Sequence, residues 1–118
     1  MQLELVRKLV GMFVERIVSE IFPDETGAAR LQQVGLFTLI FVLDDNGVPV
    51  TAPRLASLTG QSVSQVQKQL QKLLKVGVIE RKKALNVRGR GQAFHLKVKY
   101  TDKTKRLLDA MGKAAGRR

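Results

Sequence analysis

Few residues in this chain are suited to bond-making chemistry. Cysteine is absent and His95 is the lone histidine, which together exclude disulfide frameworks, zinc fingers, iron–sulfur sites and thiol nucleophiles. The Asp44-Asp45 pair runs into Asn46-Gly47, which reads as turn chemistry and not as a metal or catalytic site. Gly89-Arg90-Gly91 is too short to cradle a phosphate, and no nucleophile stands beside a base. No enzyme and no cofactor are expected. What remains is positive charge. Lys and Arg number 21 against 10 Asp and Glu, for a net charge of +11, and such an excess points to a polyanionic partner.

The charge is divided unevenly. Residues 1–53 carry −3 and residues 54–118 carry +14, and no acid occurs between Asp45 and Glu80. Inside that acid-free stretch, Ser62, Ser64, Gln65, Gln67, Lys68, Gln71, Lys72 and Lys75 supply hydroxyls, amides and ammonium groups. Those are the groups that bond base edges and phosphate oxygens. Lys68 and Lys72 stand four apart with no acid nearby in sequence, a repulsion of roughly 0.2–0.5 kcal/mol in an isolated helix that a phosphate would remove. Arg54, Lys82 and Lys83 are candidates for flanking phosphates. Arg88 and Arg90, beside Gly89 and Gly91, suit a narrow electronegative minor groove.

These residues must be positioned by helices and a hairpin. Residues 2–22 lack proline and spread Leu5, Val6, Leu9, Val10, Met12, Phe13, Val14, Ile17 and Ile21 over an arc near 200° on a helical wheel, about twice what one buried face requires. A helix apolar on two sides is expected to pack between two bodies, with Leu9, Phe13 and Ile17 facing a second subunit. Thr26 or Asp24 caps a second helix that runs to about residue 43, with Phe37, Ile40 and Phe41 inward. A turn at 44–47 leads to a short strand at 48–51. A third helix runs from Ala52 to Thr59 and ends at Gly60. Ser62 and Gln65 have capping-box spacing for a fourth helix ending at Gly77, with Val63, Val66, Leu70, Leu73 and Leu74 as its apolar arc.

Beyond Gly77 the period becomes two. Val78-Ile79 opens an extended segment, residues 86–91 form a tip, and Phe94, Leu96, Val98 and Tyr100 alternate with His95, Lys97 and Lys99. The alternation predicts a hairpin with Phe94 and Tyr100 on its core side and a basic outer face, where His95 is a surface residue. Thr101 caps a last helix bearing Leu107, Leu108 and Met111. The fold class is therefore mainly α with a small β-hairpin, in the order of a winged helix-turn-helix with N- and C-terminal dimerisation helices. Residues 1–111 form one domain: a dimerisation helix at 1–25, a winged-helix core at 26–100 and a C-terminal helix at 101–111. Residues 112–118 are expected to be a flexible basic tail.

Residues 55–83, LASLTGQSVSQVQKQLQKLLKVGVIERKK, resemble the helix-turn-helix of the MarR family of bacterial regulators. Leu55-Ala56, Gly60, Ser62, Val66, Leu70, Leu73, Gly77, Val78-Ile79 and Glu80-Arg81 fall in its register. Residues 100–111, YTDKTKRLLDAM, are similar to the helix after its wing. The resemblance implies a homodimer formed through terminal helices, with each fourth helix in a major groove and each wing at an adjacent minor groove. That family's wing carries an Asp-Arg element where this chain has Asn-Val-Arg-Gly-Arg-Gly. Arg88 or Arg90 would then act without an orienting acid. The chain is short for the family, and no small-molecule effector is expected.

The leading expectation is a dimeric, sequence-specific binder of double-stranded DNA, most simply a repressor. Two alternatives use the same charge: a sequence-tolerant nucleoid- or plasmid-associated protein, and a winged helix that meets an acidic protein. Single-strand readers stack bases on aromatic rings, and RNA is disfavoured because Phe94 and Tyr100 are assigned to the core. The most apolar run free of charge, residues 31–43, is too short to span a bilayer. The start Met1-Gln2-Leu3-Glu4 does not resemble a signal peptide. A cytoplasmic, nucleoid-associated protein is expected.

Overall fold

Helix ends lie where short polar side chains and glycines put them. Thr26 Oγ1 accepts from Ala29 N (3.1 Å) at the start of one helix and Thr51 Oγ1 from Arg54 N (3.3 Å) at the next. At Ser62 both arms of the capping box close, Gln65 N to Ser62 Oγ at 3.2 Å and Ser62 N to Gln65 Oε1 at 3.3 Å. Gly60 (φ 75°) and Gly77 (φ 84°) end their helices in the left-handed region, which side-chain-bearing residues disfavour. The resulting order is α1 (Leu3–Ser19), α2 (Gly27–Asp45), α3 (Ala52–Thr59), α4 (Val63–Val76), β1 (Ile79–Leu85), β2 (Gln92–Val98) and α5 (Asp102–Gly116). This is a computed structural model that describes residues 3–20, 22–23, 25–85 and 92–116, with side chains for 7–20, 22–23, 25–83 and 94–110. Asp24, Arg88, Arg90 and the Met111 side chain lie outside that description, as does the Ile21 position.

β1 and β2 pair antiparallel, Ile79 opposite Val98 and Leu85 opposite Gln92. The helices pack at the root of this hairpin, and the whole is mainly helical, consistent with a winged helix. The expected strand at 48–51 does not form. One bond, Leu96 N to Val50 O (2.9 Å), ties that segment to β2. Pro49 has no N–H to extend a ladder, and Thr51 is already committed to capping α3. α5 runs on to Gly116, into the segment expected to be a tail, because Lys113-Ala114-Ala115 favours helix and no proline stops it.

The core also revises the expected use of α1. Leu9, Phe13 and Ile17 recur at i, i+4 and i+8, and all three are buried within one chain, against α2, α4 and α5. They do not face outward to a second subunit. Phe13 packs against Phe37 in a tilted pair at 5.0 Å and meets Tyr100 edge-on at 5.9 Å. Leu107 and Leu108 are likewise half-buried against the core. Above this lie Leu36 and Ile40 from α2, Leu55 from α3, Val66, Leu70 and Leu73 from α4, and Ile79, Leu96 and Val98 from the hairpin.

Truncating Phe13 to Ala should lower unfolding free energy by about 3–5 kcal/mol, as for other buried aromatics. The loss should be the same at low and high protein concentration in urea denaturation, since the cavity forms inside a single chain.

Candidate nucleic-acid interface

α4 has an apolar stripe, Val66, Leu70, Leu73 and Val76, wholly buried. Around the other side Ser64, Gln67, Lys68, Gln71 and Lys75 are exposed, and they occupy about 100° of helical arc. No carboxylate lies on this helix. Its exposed cations therefore have no ion-pair partner on the helix itself. Ser62 and Gln65 are also exposed, but each spends its side chain on the cap.

Lys72 departs from the expected face. Its side chain is 19% exposed and its Nζ lies 3.7 Å from Glu25 Oε2, a carboxylate whose side chain is 0% exposed. The Phe22 ring sits 5.9 Å from the same ammonium. The acid missing from the neighbouring sequence is supplied by the α1–α2 connection, and Lys72 serves as an internal counter-ion. Behind it runs a chain of amides: Gln33 Nε2 donates to Glu25 Oε1 and to Gln69 Oε1 (3.1 Å), and Gln69 Nε2 donates to Gln32 Oε1 (3.4 Å). Gln33 and Gln69 are both buried. The sequence reading missed both, although Gln33 within the charge-free run 31–43 was a signal: an amide among apolar residues needs a buried partner.

The C-terminal end of α4 is held by Arg16, whose Nη2 donates to Val76 O at 2.7 Å. A cation there satisfies a terminal carbonyl and complements the helix dipole. The same guanidinium fills the space beside Gly77, where a Cβ would come within 3.3 Å of Nη2.

The hairpin divides its basic residues by pleat parity. Arg81, opposite Leu96, and Lys83, opposite Phe94, share the side that faces α4, while Lys82 lies opposite His95 on the other. Arg81, Lys82 and Lys83 are all exposed, and Lys82 Nζ lies 3.6 Å from Glu80. Arg54, on the first turn of α3, is exposed as well. Two apolar assignments are corrected. Val63 is 40% exposed at the start of α4, where the helix projects past the core, and Phe94 is 48% exposed. A residue on the core face of a strand is buried only as far out as the core extends.

Asp44 does more than form a turn. Its Oδ2 accepts from Val98 N (3.0 Å) and its Oδ1 meets Lys97 Nζ at 3.3 Å, so the end of α2 is fastened to β2. Burial, followed by the charges of Asp44 and Asp45, raises the Tyr100 phenol above its ordinary pKa, keeping it protonated beside these carboxylates.

Among the described residues no cluster of three His, Cys, Asp or Glu could hold a metal ion, and no helix is long and apolar enough to cross a membrane. No family model matches the chain, and no curated protein matches it. Among solved structures, it is similar to a chain from Methanosarcina mazei Go1 described as a "possible transcriptional regulator", at 16% identity and a TM-score of 0.49, over 94% of this chain and 82% of that one.

Replacing Lys72 by Met strands the buried Glu25 carboxylate and should lower stability by about 3 kcal/mol, the lower end for a broken buried pair. Lys68→Met, on the open face, should change it by no more than about 0.5 kcal/mol. Thermal denaturation of the two variants beside Glu25→Gln/Lys72→Met, which should recover part of the loss, checks the assignment.

Proposed function

We propose that the chain is a sequence-specific double-stranded DNA-binding regulator that lays α4 in a major groove. The observation that carries this reading is the open face of Ser64, Gln67, Lys68, Gln71 and Lys75, with amides and cations available and no carboxylate on the helix. A helix of this kind has the width the groove admits and the groups its base edges accept. Gln67 and Gln71 read bases; Lys68 and Lys75, with Arg54, Arg81 and Lys83, bind phosphates. Arg88 and Arg90 at the wing tip enter the adjacent minor groove, as the resemblance of residues 55–83 to the MarR family implies. Repression by occlusion is the simplest output. The cytoplasm, with the nucleoid as the bound phase, is the corresponding location.

A homodimer remains part of this proposal, through other residues of α1. Leu9, Phe13 and Ile17 are occupied within the chain, but Val10, Val14 and Val18 form a second i, i+4, i+8 stripe. Val10 and Val14 are half-buried and Val18 is exposed. A two-fold axis there sets half-sites about 10 bp apart or a multiple of that. The second reading, sequence-tolerant duplex binding, is favoured by the lysines alone, which contact phosphate without reading sequence.

Selection of bound fragments from random duplex DNA should return a pseudo-palindrome. Gln71→Ala should relax preference at one position per half-site at a cost of about 1–3 kcal/mol. Lys68→Ala should instead weaken all sequences alike and reduce the salt slope by about one phosphate contact. Recovery of unrelated sequences, with preference gone at roughly 200 mM salt, selects the sequence-tolerant reading. In analytical ultracentrifugation the native protein should sediment at twice the 13.1 kDa chain mass, and Val14→Glu should return it to one.

A further inference from the structure

Between α4 and the hairpin lies a half-open cleft of about 260 Å³, whose lining includes Thr51, Gln67, Leu70, Arg81, Phe94 and Leu96. It is smaller than the pockets of roughly 300–1,000 Å³ that take drug-sized ligands. Its floor is apolar, from Leu70 and Leu96, and the Phe94 ring at its edge is 48% exposed. Polar groups share the lining: Thr51, the Gln67 amide, which belongs to the open face of α4, and the Arg81 guanidinium. Lys83 lies directly across the ladder from Phe94 and is exposed.

An exposed aromatic ring is costly to leave in water and has a flat π-face. A small slot beside that ring, apolar at Leu70 and Leu96 and polar at Gln67 and Arg81, suits one planar heterocycle. Two cations of β1, Arg81 in the lining and Lys83 across the ladder from Phe94, suit the phosphates that flank such a ring in a strand, and a single amide suits the hydrogen-bonding edge of a base. From this we infer that the cleft is a subsite for one unpaired nucleobase of DNA, stacked on Phe94, with Gln67 at its edge and Arg81 and Lys83 on the neighbouring phosphates. The inference rests on the reading of α4 as a DNA-binding helix, because Gln67 is shared between the two surfaces. It adds a preference that α4 alone does not supply: duplex that carries an unpaired nucleotide is bound better than continuous duplex. Stacking on an aromatic side chain tolerates any base, so the preference is for structure and not for sequence.

The test measures fluorescence anisotropy of the full chain with three labelled probes: a 24-bp duplex, the same duplex with one bulged thymidine at its centre, and a single-stranded 15-mer of thymidine. The native protein should bind the bulged duplex about tenfold more tightly than the continuous one, a factor within the range of one stacked base. That ratio should fall to near one in Phe94→Leu, which keeps apolar bulk without a π-face, and in Phe94→Ala. A native ratio near one overturns the inference, as does a ratio that survives both Phe94 variants. If no duplex binds but the 15-mer does, and binding weakens about tenfold in Phe94→Leu, the base subsite stands and the duplex reading of α4 falls. Binding to none of the three probes overturns both. Because Phe94 is half-exposed, its variants should fold, and the native ratio decides the matter even if one does not.

Discussion

α4 is gripped from beneath, at its two ends and along the flank that meets α2, and every feature of the candidate interface depends on that constraint. Val66, Leu70 and Leu73 anchor it in the core, the Ser62 box closes its first turn, and Arg16 closes its last from sixty residues away. Lysines and glutamines crowd its other side without carboxylates, so no ion pairs along its own surface help to hold it. Its geometry is fixed by groups that leave the outward face free.

The Glu25–Lys72 contact serves the same end at a cost in solvation. Burying a carboxylate is unfavourable unless it is paired and hydrogen-bonded, and here one lysine of α4 is diverted from the surface to pair it while Gln33 supplies the hydrogen bond. Gln33 and Gln69 extend the contact across the α2–α4 seam, where directional bonds fix the sliding of one helix past the other more sharply than apolar contacts do. The lysine that the sequence suggests for phosphate is thus the one that sets the register of the helix carrying the others.

Much of the architecture was legible because it is written locally. Thr26 and Ser62 announce helix starts within three residues, Gly60 and Gly77 announce stops, and the period-two run through Val98 announces a strand. Contacts spanning 36 to 60 residues, Gln33 to Gln69 and Arg16 to Val76, leave no local trace. Lys72 was misassigned for that reason: its counter-ion arrives from another element. The apolar breadth of α1 was real, but one helix contacting α2, α4 and α5 uses much of it within the chain. Phe94 was misplaced for a different reason. Parity puts it on the same side as Leu96, yet two residues of strand carry it about 7 Å outward, beyond the helices that cover Leu96.

The fastening of Asp44 to Val98 has a mechanical consequence. Val98 is held to the end of α2, Leu96 to Val50 and Lys99 to Val78, so these backbone tethers gather at the root of the hairpin. A beam clamped at one end turns a small tilt at its support into a larger excursion at its free end. The carboxylate of Asp44 is thus a polar link through which a displacement of the end of α2 would reach the clamped end of the hairpin.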